Sequence, residues 1–315
     1  MDSMKSFEAP LETRTDKLPK DQTLKEYERQ WEKAGLEDNF VFFKVMQDKS
    51  LCLELLQRIF PGLDIVKIAA PEQEKVTAFA NDTKSIRMDL LVREVDNKND
   101  QVIRIFNLEM QVVSNRVLPK RSRYYQSMLD VDILEKGGNY EELMPSYVVF
   151  ICLKDMFYDN RVKYTFKNIC KENYEELGDD REIIFLNASG EFGEVSEELQ
   201  NFLDFLRNKT TKDEFTRRLG ESVKRVKESS TMRGEYIKMI TERSFWVEEG
   251  REQGREEGRE EGREQGRAEI LKKNIRLFKD ELHKTDEEII VYLEQVFGVS
   301  EEHAKSLLTE SLLTL

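Results

Sequence analysis

The chain predicts a mixed α/β sheet core with flanking helices, followed by an α-helical C-terminal extension. Three observations carry this. Two alternating apolar arms flank a polar loop in residues 86–113, an unbroken apolar run fills residues 146–153, and every periodic segment beyond Gly190 is helical. Alternation marks a half-buried strand, and a short continuous apolar run marks a strand covered on both faces. Strands interleaved with helices give a mixed sheet.

Residues 1–36 read as a polar leader carrying Pro10 and Pro19, with a short helix over 23–34. In 38–60, Phe40, Phe43, Val45, Leu51, Leu55, Leu56 and Ile59 recur at helical spacing until Pro61-Gly62. One amphipathic helix is expected there. Short strands are expected at 63–68 and 75–79. In the hairpin, Ile86, Met88, Leu90 and Val92 alternate with Arg87, Asp89, Leu91 and Arg93. In its second arm Phe106, Leu108, Met110 and Val112 alternate with Ile105, Asn107, Glu109 and Gln111. The loop 96–100 is rich in turn-forming residues.

A helix over 117–136 should start near Pro119, a favoured first-turn residue. Strands follow at 146–153, 162–166 and 182–187, then helices at 196–208, 212–227 and from 235 onward. Residues 250–267 form a strict Gly-Arg-Glu tetrapeptide array holding five of the fifteen glycines. Four helical residues advance ~400°, so each residue class makes a slowly drifting stripe. Each glycine costs ~1 kcal/mol relative to alanine in a helix. A glycine stripe lets two backbones approach, so helix–helix association is expected, most simply a homodimer; a flexible charged linker is the alternative. Residues 268–315 read as a small helical tail, with helix starts at Thr285 (Glu288 completing a capping box) and at Ser300. The expected divisions are therefore 1–36, 37–190, 191–249, 250–267 and 268–315.

Composition narrows the function. Charged residues make up 36% of the chain and hydrophobic ones 39%. No apolar run approaches the ~20 residues that cross a bilayer, and the N-terminus lacks a signal-peptide apolar region. Cys52, Cys152 and Cys170 are odd in number and lack a paired spacing, so they read as buried thiols of a cytoplasmic protein. A net charge of −13 excludes coating nucleic acid with the whole surface and leaves a local patch. The two histidines, His283 and His303, exclude a histidine-rich metal centre and disfavour histidine-based triads. Phosphate-binding glycine loops are missing from the sequence.

The hairpin holds the candidate chemistry. Folded symmetrically about residue 99, it sets Asp89 opposite Glu109, with Cβ atoms ~5 Å apart. Gln111 returns to the same face. Like charges so placed destabilise a sheet, and a hydrated divalent cation bound by oxygen ligands removes that cost. The alternative is a solvated face near Arg87, Arg93 or Arg104. From 114 to 129 the chain carries Arg116, Lys120, Arg121 and Arg123 and no acidic residue. With Tyr124 and Tyr125 this segment is suited to holding a phosphate backbone and stacking on a base. In the alternative, Tyr125, Met128 and Leu129 pack the helix on the sheet.

Asp, some twenty residues and then Glu-x-Gln in an apolar hairpin resembles the PD-(D/E)XK nuclease superfamily. More narrowly, the chain resembles the Rpn family of recombination-promoting nucleases, or putative transposases. The residues are Met88-Asp89-Leu90, Asn107-Leu108-Glu109-Met110-Gln111 and Lys120-Arg121-Ser122-Arg123-Tyr124-Tyr125-Gln126-Ser127. Gly137, Tyr140, Pro145-Ser146-Tyr147 and the tetrapeptide array continue the pattern, which runs from about residue 38 to the end of the array.

The resemblance implies a restriction-endonuclease-like core and a Mg²⁺-dependent (or Mn²⁺-dependent) DNA endonuclease linked to recombination or transposition. It implies metal held by Asp89, Glu109 and the Met110 carbonyl. Gln111 stands where the superfamily usually has lysine; glutamine orients water but adds no positive charge. Lys120, Arg121, Arg123 and Tyr125 are the expected DNA-binding residues, and Arg121-x-x-x-Tyr125 resembles a Gln-x-x-x-Tyr helix motif of some superfamily nucleases. Upstream helices there often add an acidic ligand; Asp48 and Glu54 are the candidates, more simply read as solvated. The alternative function is a weak or inactive DNA-binding or assembly protein on a nuclease fold. A purely structural oligomer is a third.

Overall fold

A computed structural model describes residues 21–73, 75–76, 86–113, 116–134 and 138–312. Residues 1–20 of the expected leader, the end of the strand expected at 75–79, the end of the helix expected at 117–136, and Gly137 lie outside them. The chain divides into two compact units, one up to Lys238 and one from Met239.

The first unit is built on a five-stranded sheet in the order β3-β4-β5-β7-β6: Leu90–Val95, Val102–Gln111, Ser146–Cys152, Arg181–Asn187 and Lys163–Phe166. The β3/β4 and β6/β7 pairs are antiparallel, while β4/β5 and β5/β7 are parallel. A two-residue pair, β1 (Lys75–Val76) with β2 (Ile86–Arg87), stands apart from this sheet. The parallel step from β4 to β5 requires a crossover, supplied by α4 (Leu118–Ile133) with Pro119 in its first turn. The central strand β5 is buried at every position, as its unbroken apolar sequence requires.

Helix α4 packs Leu118, Tyr125, Met128 and Leu129 onto Leu91, Ile105, Val148 and Phe150. Alternation turns the neighbouring residues away from α4, where Phe106 and Tyr147 stack 5.0 Å apart beside Phe60. Phe60 closes α3 (Lys49–Ile59). The single helix expected over 38–60 is two, α2 (Asn39–Met46) and α3, because Asp48 takes the amides of Ser50 and Leu51 and caps a new helix. No strand forms at 63–68, where the chain borders β3 through an isolated bridge of Ile68 to Glu94.

Helix α1 (Asp21–Lys33) is more than part of a polar leader. It buries Trp31 against Phe40 and Tyr236, with ring centroids 6.2 and 5.0 Å away. Cys52 and Cys152 are buried as expected, but Cys170 is exposed in an irregular segment between β6 and β7. Helices α5 (Glu197–Asn208) and α6 (Glu214–Glu228) complete the unit, and α7 (Ser230–Arg276) starts in it.

In the second unit, Leu271 and Ile275 of α7 form a small core with Ile289 and Leu293 of α8 (Asp286–Phe297) and Ala304, Leu307 and Leu308 of α9 (Glu301–Leu312). Thr285 and Glu288 make the expected capping box. The tetrapeptide array is helical, and a Cβ added at any of its five glycines meets nothing within 4 Å. Among the described residues no helix is long and apolar enough to cross a membrane.

Candidate functional site

The hairpin register is the one that symmetry about residue 99 demands: Leu90 pairs with Leu108 and Leu91 with Asn107. One step further, Asp89 faces Glu109. The ladder stops short of that pair because Asp89 lies on a bend, so the first arm is not the continuous strand its alternation predicts. Side chains replace the missing ladder bonds. Glu109 Oε1 accepts the Asp89 amide at 3.0 Å, and Asp89 Oδ2 accepts the Met110 amide at 3.2 Å. Each carboxylate thus takes a backbone donor from the opposite strand, which holds the two together despite their charges.

Strand geometry also aims Met110. A strand residue turns its N–H and C=O toward the same neighbour, and successive residues alternate between neighbours. Ile105 and Gln111 bond toward β5, through the Pro145 carbonyl and the Leu153 amide. Met110, of opposite parity, turns both backbone groups toward the edge where Asp89 sits. Its carbonyl therefore turns toward the β3 side of β4, the side on which Asp89 lies.

Helix α4 supplies the counter-charge. Arg121 Nη2 lies 2.5 Å from Glu109 Oε2, and Arg121 Nε donates to the Tyr125 hydroxyl at 2.7 Å. The guanidinium carbon sits 4.9 Å from the Tyr125 ring centroid and 5.9 Å from that of Phe150. The residues share a helix face because they are one turn apart. Tyr125 is only 4% exposed, so it belongs to the core and offers no ring to a base; this corrects the DNA-stacking role expected for it. Lys120 and Arg123 are exposed on the same helix, as is Arg116 just before it. Gln111 is half-buried at the end of β4.

Two further groups complete the cluster. Asn39 Nδ2 donates to Asp89 Oδ2 at 2.8 Å from the start of α2. Sequence reasoning missed it, since no periodicity or motif links positions 39 and 89. Asn107 is fully buried on the Glu109 face, and neither polar atom of its amide has a hydrogen-bond partner of good geometry, although it lies near enough to favour an ionised Glu109. Asp48 and Glu54 are elsewhere: Asp48 caps α3, and Glu54 pairs with Arg58 and Arg218 at 2.9 and 2.8 Å.

Burial, then the nearby Asp89 charge, raises the Glu109 pKa above the ordinary carboxylate range, against Arg121 and the Asp89 amide, which favour the anion. A carboxyl raised on folding contributes stability that is complete below its unfolded pKa and is lost as pH rises through the folded value. The metal-free protein should therefore lose on the order of a few kcal/mol between about pH 4.5 and about pH 8. Urea midpoints across that range test this, and Glu109→Gln should flatten the dependence. An equal slope in the variant would place the titration elsewhere.

Among the described residues no group of three or more His, Cys, Asp and Glu side chains converges. Two opposed carboxylates nevertheless suit a hard divalent cation, which takes oxygen ligands and keeps some of its waters. The all-oxygen set and a Glu109 whose charge is disfavoured without a cation agree with that fit.

The chain matches the family model described as PD-(D/E)XK nuclease family transposase over residues 39–265, well over half its length. It therefore belongs to that family, whose nucleases generally use divalent metals. No curated protein and no solved structure matches it.

Proposed function

We propose that this member of the PD-(D/E)XK nuclease family transposases is a DNA endonuclease dependent on Mg²⁺ or Mn²⁺ and serving recombination or transposition. One observation carries the reading: two opposed carboxylates, Asp89 at 8% exposure and Glu109 at 0%, meet at the buried end of the hairpin. A buried like-charged pair costs several kcal/mol unless a cation joins it. Asp89, Glu109 and the Met110 carbonyl are the proposed ligands. The bound cation would supply a water of lowered pKa and neutralise charge on the phosphate. Gln111 orients the attacking water, and Arg121 supplies the positive charge that glutamine lacks. Lys120 and Arg123, with Arg116, position the DNA backbone, which accounts for a local basic face on an acidic chain. The open glycines of the array suit a homodimer through residues 250–267.

The test is nicking of supercoiled plasmid by the purified full-length chain with Mg²⁺, Mn²⁺ or chelator. Nicking with metal and none with chelator is expected. A second reading, an inactive DNA-binding or assembly protein, draws on the ion pair through which Arg121 already neutralises Glu109. DNA binding without nicking in any metal would favour it.

A further inference from the structure

The geometry points to Asn39 as a positioning residue that holds the Asp89 carboxylate in the orientation in which it meets a divalent cation. This rests on the metal-dependent reading above. Asp89 lies on a bend before β3, where the ladder no longer fixes the backbone. Its orientation therefore depends on its side-chain bonds. Two donors reach the same oxygen, Oδ2: Asn39 Nδ2 at 2.8 Å and the Met110 amide at 3.2 Å. One comes from the helical layer and the other from β4, so two elements far apart in sequence fix a single oxygen.

Asn39 is itself held. Asp38 caps α2 by accepting from the Phe40 and Val41 amides at 2.9 and 3.3 Å, and the Tyr236 hydroxyl donates to Asp38 Oδ2 at 3.3 Å. Nearer the other end of α2, Lys44 pairs with Glu235 at 2.7 Å. The first turns of α7 thus anchor the short helix that presents Asn39. A carboxamide suits the task, since it donates to an ionised carboxylate without adding charge to a site already holding two anions. Asn39 is exposed, so replacing it leaves the core untouched.

Partners that orient a ligating side chain typically change metal affinity by 10–100-fold when removed. Calorimetric titration of Mn²⁺ into the full-length chain without DNA tests this in the parent, in Asn39→Leu (near-isosteric, without the donor) and in Asn39→Gln (carboxamide kept). Asn39→Leu should weaken Mn²⁺ binding by about 10-fold or more and raise the Mn²⁺ concentration for half-maximal nicking by the same factor, with the KM for DNA unchanged. Asn39→Gln should recover part of both. Equal Mn²⁺ affinity in the parent and Asn39→Leu overturns the positioning role alone. Absence of Mn²⁺ binding in the parent overturns the metal-dependent reading, and the positioning role with it.

Discussion

Asp89→Ala is expected to lose metal-dependent nicking by about 10³-fold or more while melting close to the parent. The loss follows from removing one of two side-chain ligands: charge neutralisation by a bound metal supplies several kcal/mol of transition-state stabilisation, and each ~1.4 kcal/mol is tenfold in rate. The fold survives because two effects oppose each other. Deletion strands the Met110 amide and the Asn39 carboxamide, at about 1 kcal/mol for each lost bond. It also removes the negative charge that raises the Glu109 pKa, which offsets part of that cost. The same removal should make the metal-free protein less sensitive to rising pH. Plasmid nicking beside thermal midpoints at two pH values reads both effects. Unchanged nicking by a purified variant would end the assignment of Asp89, and a large drop in midpoint would show that the carboxylate serves the fold instead.

Much of this site was legible because strand periodicity is strict. The alternation on each arm and a symmetric loop were enough to set Asp89 against Glu109, and Leu90 does pair with Leu108. The apolar run of β5 announced a strand buried on both faces. What the sequence hid depends on side-chain direction across layers. Basic residues on one helix read as a phosphate-binding row, yet Arg121 turns inward to Glu109 while Lys120 and Arg123 face solvent. The phase of α4 on the sheet decides this, and periodicity does not specify which arginine lies over which strand. Tyr125 follows from the same phase. Asn39 was out of reach because its link to Asp89 spans two elements packed together only in the folded chain.

Replacing Arg121 separates the readings of the site. Arg121→Met keeps most of the stem that packs near Tyr125 and Phe150 but leaves Glu109 buried without its counter-charge. Breaking a buried ion pair from one side costs about 3–5 kcal/mol. Arg121 is 31% exposed and water screens part of its charge, so about 2–3 kcal/mol is expected above about pH 8, where the parent's Glu109 is ionised, and little at neutral pH. The sign of the pH effect is fixed. Without Arg121 the folded-state pKa of Glu109 rises further, so the cost appears as pH rises through the parent's raised value and vanishes below it, where Glu109 is protonated in both folded proteins. Adding Glu109→Gln should recover most of the loss, because the double variant has no stranded charge. Saturating Mg²⁺ should also stabilise Arg121→Met more than the parent, since a cation on Glu109 takes over the role of the guanidinium and linkage returns that energy as a higher midpoint. On the nuclease reading Arg121→Met loses about 10²-fold in nicking, with Arg121→Lys keeping part of the activity as a point charge. On the inactive reading the stability loss and its repair by Glu109→Gln remain, but Mg²⁺ adds nothing to either protein. The Mg²⁺ dependence of two unfolding midpoints therefore decides whether Arg121 holds the place of a metal that comes and goes or has replaced it for good.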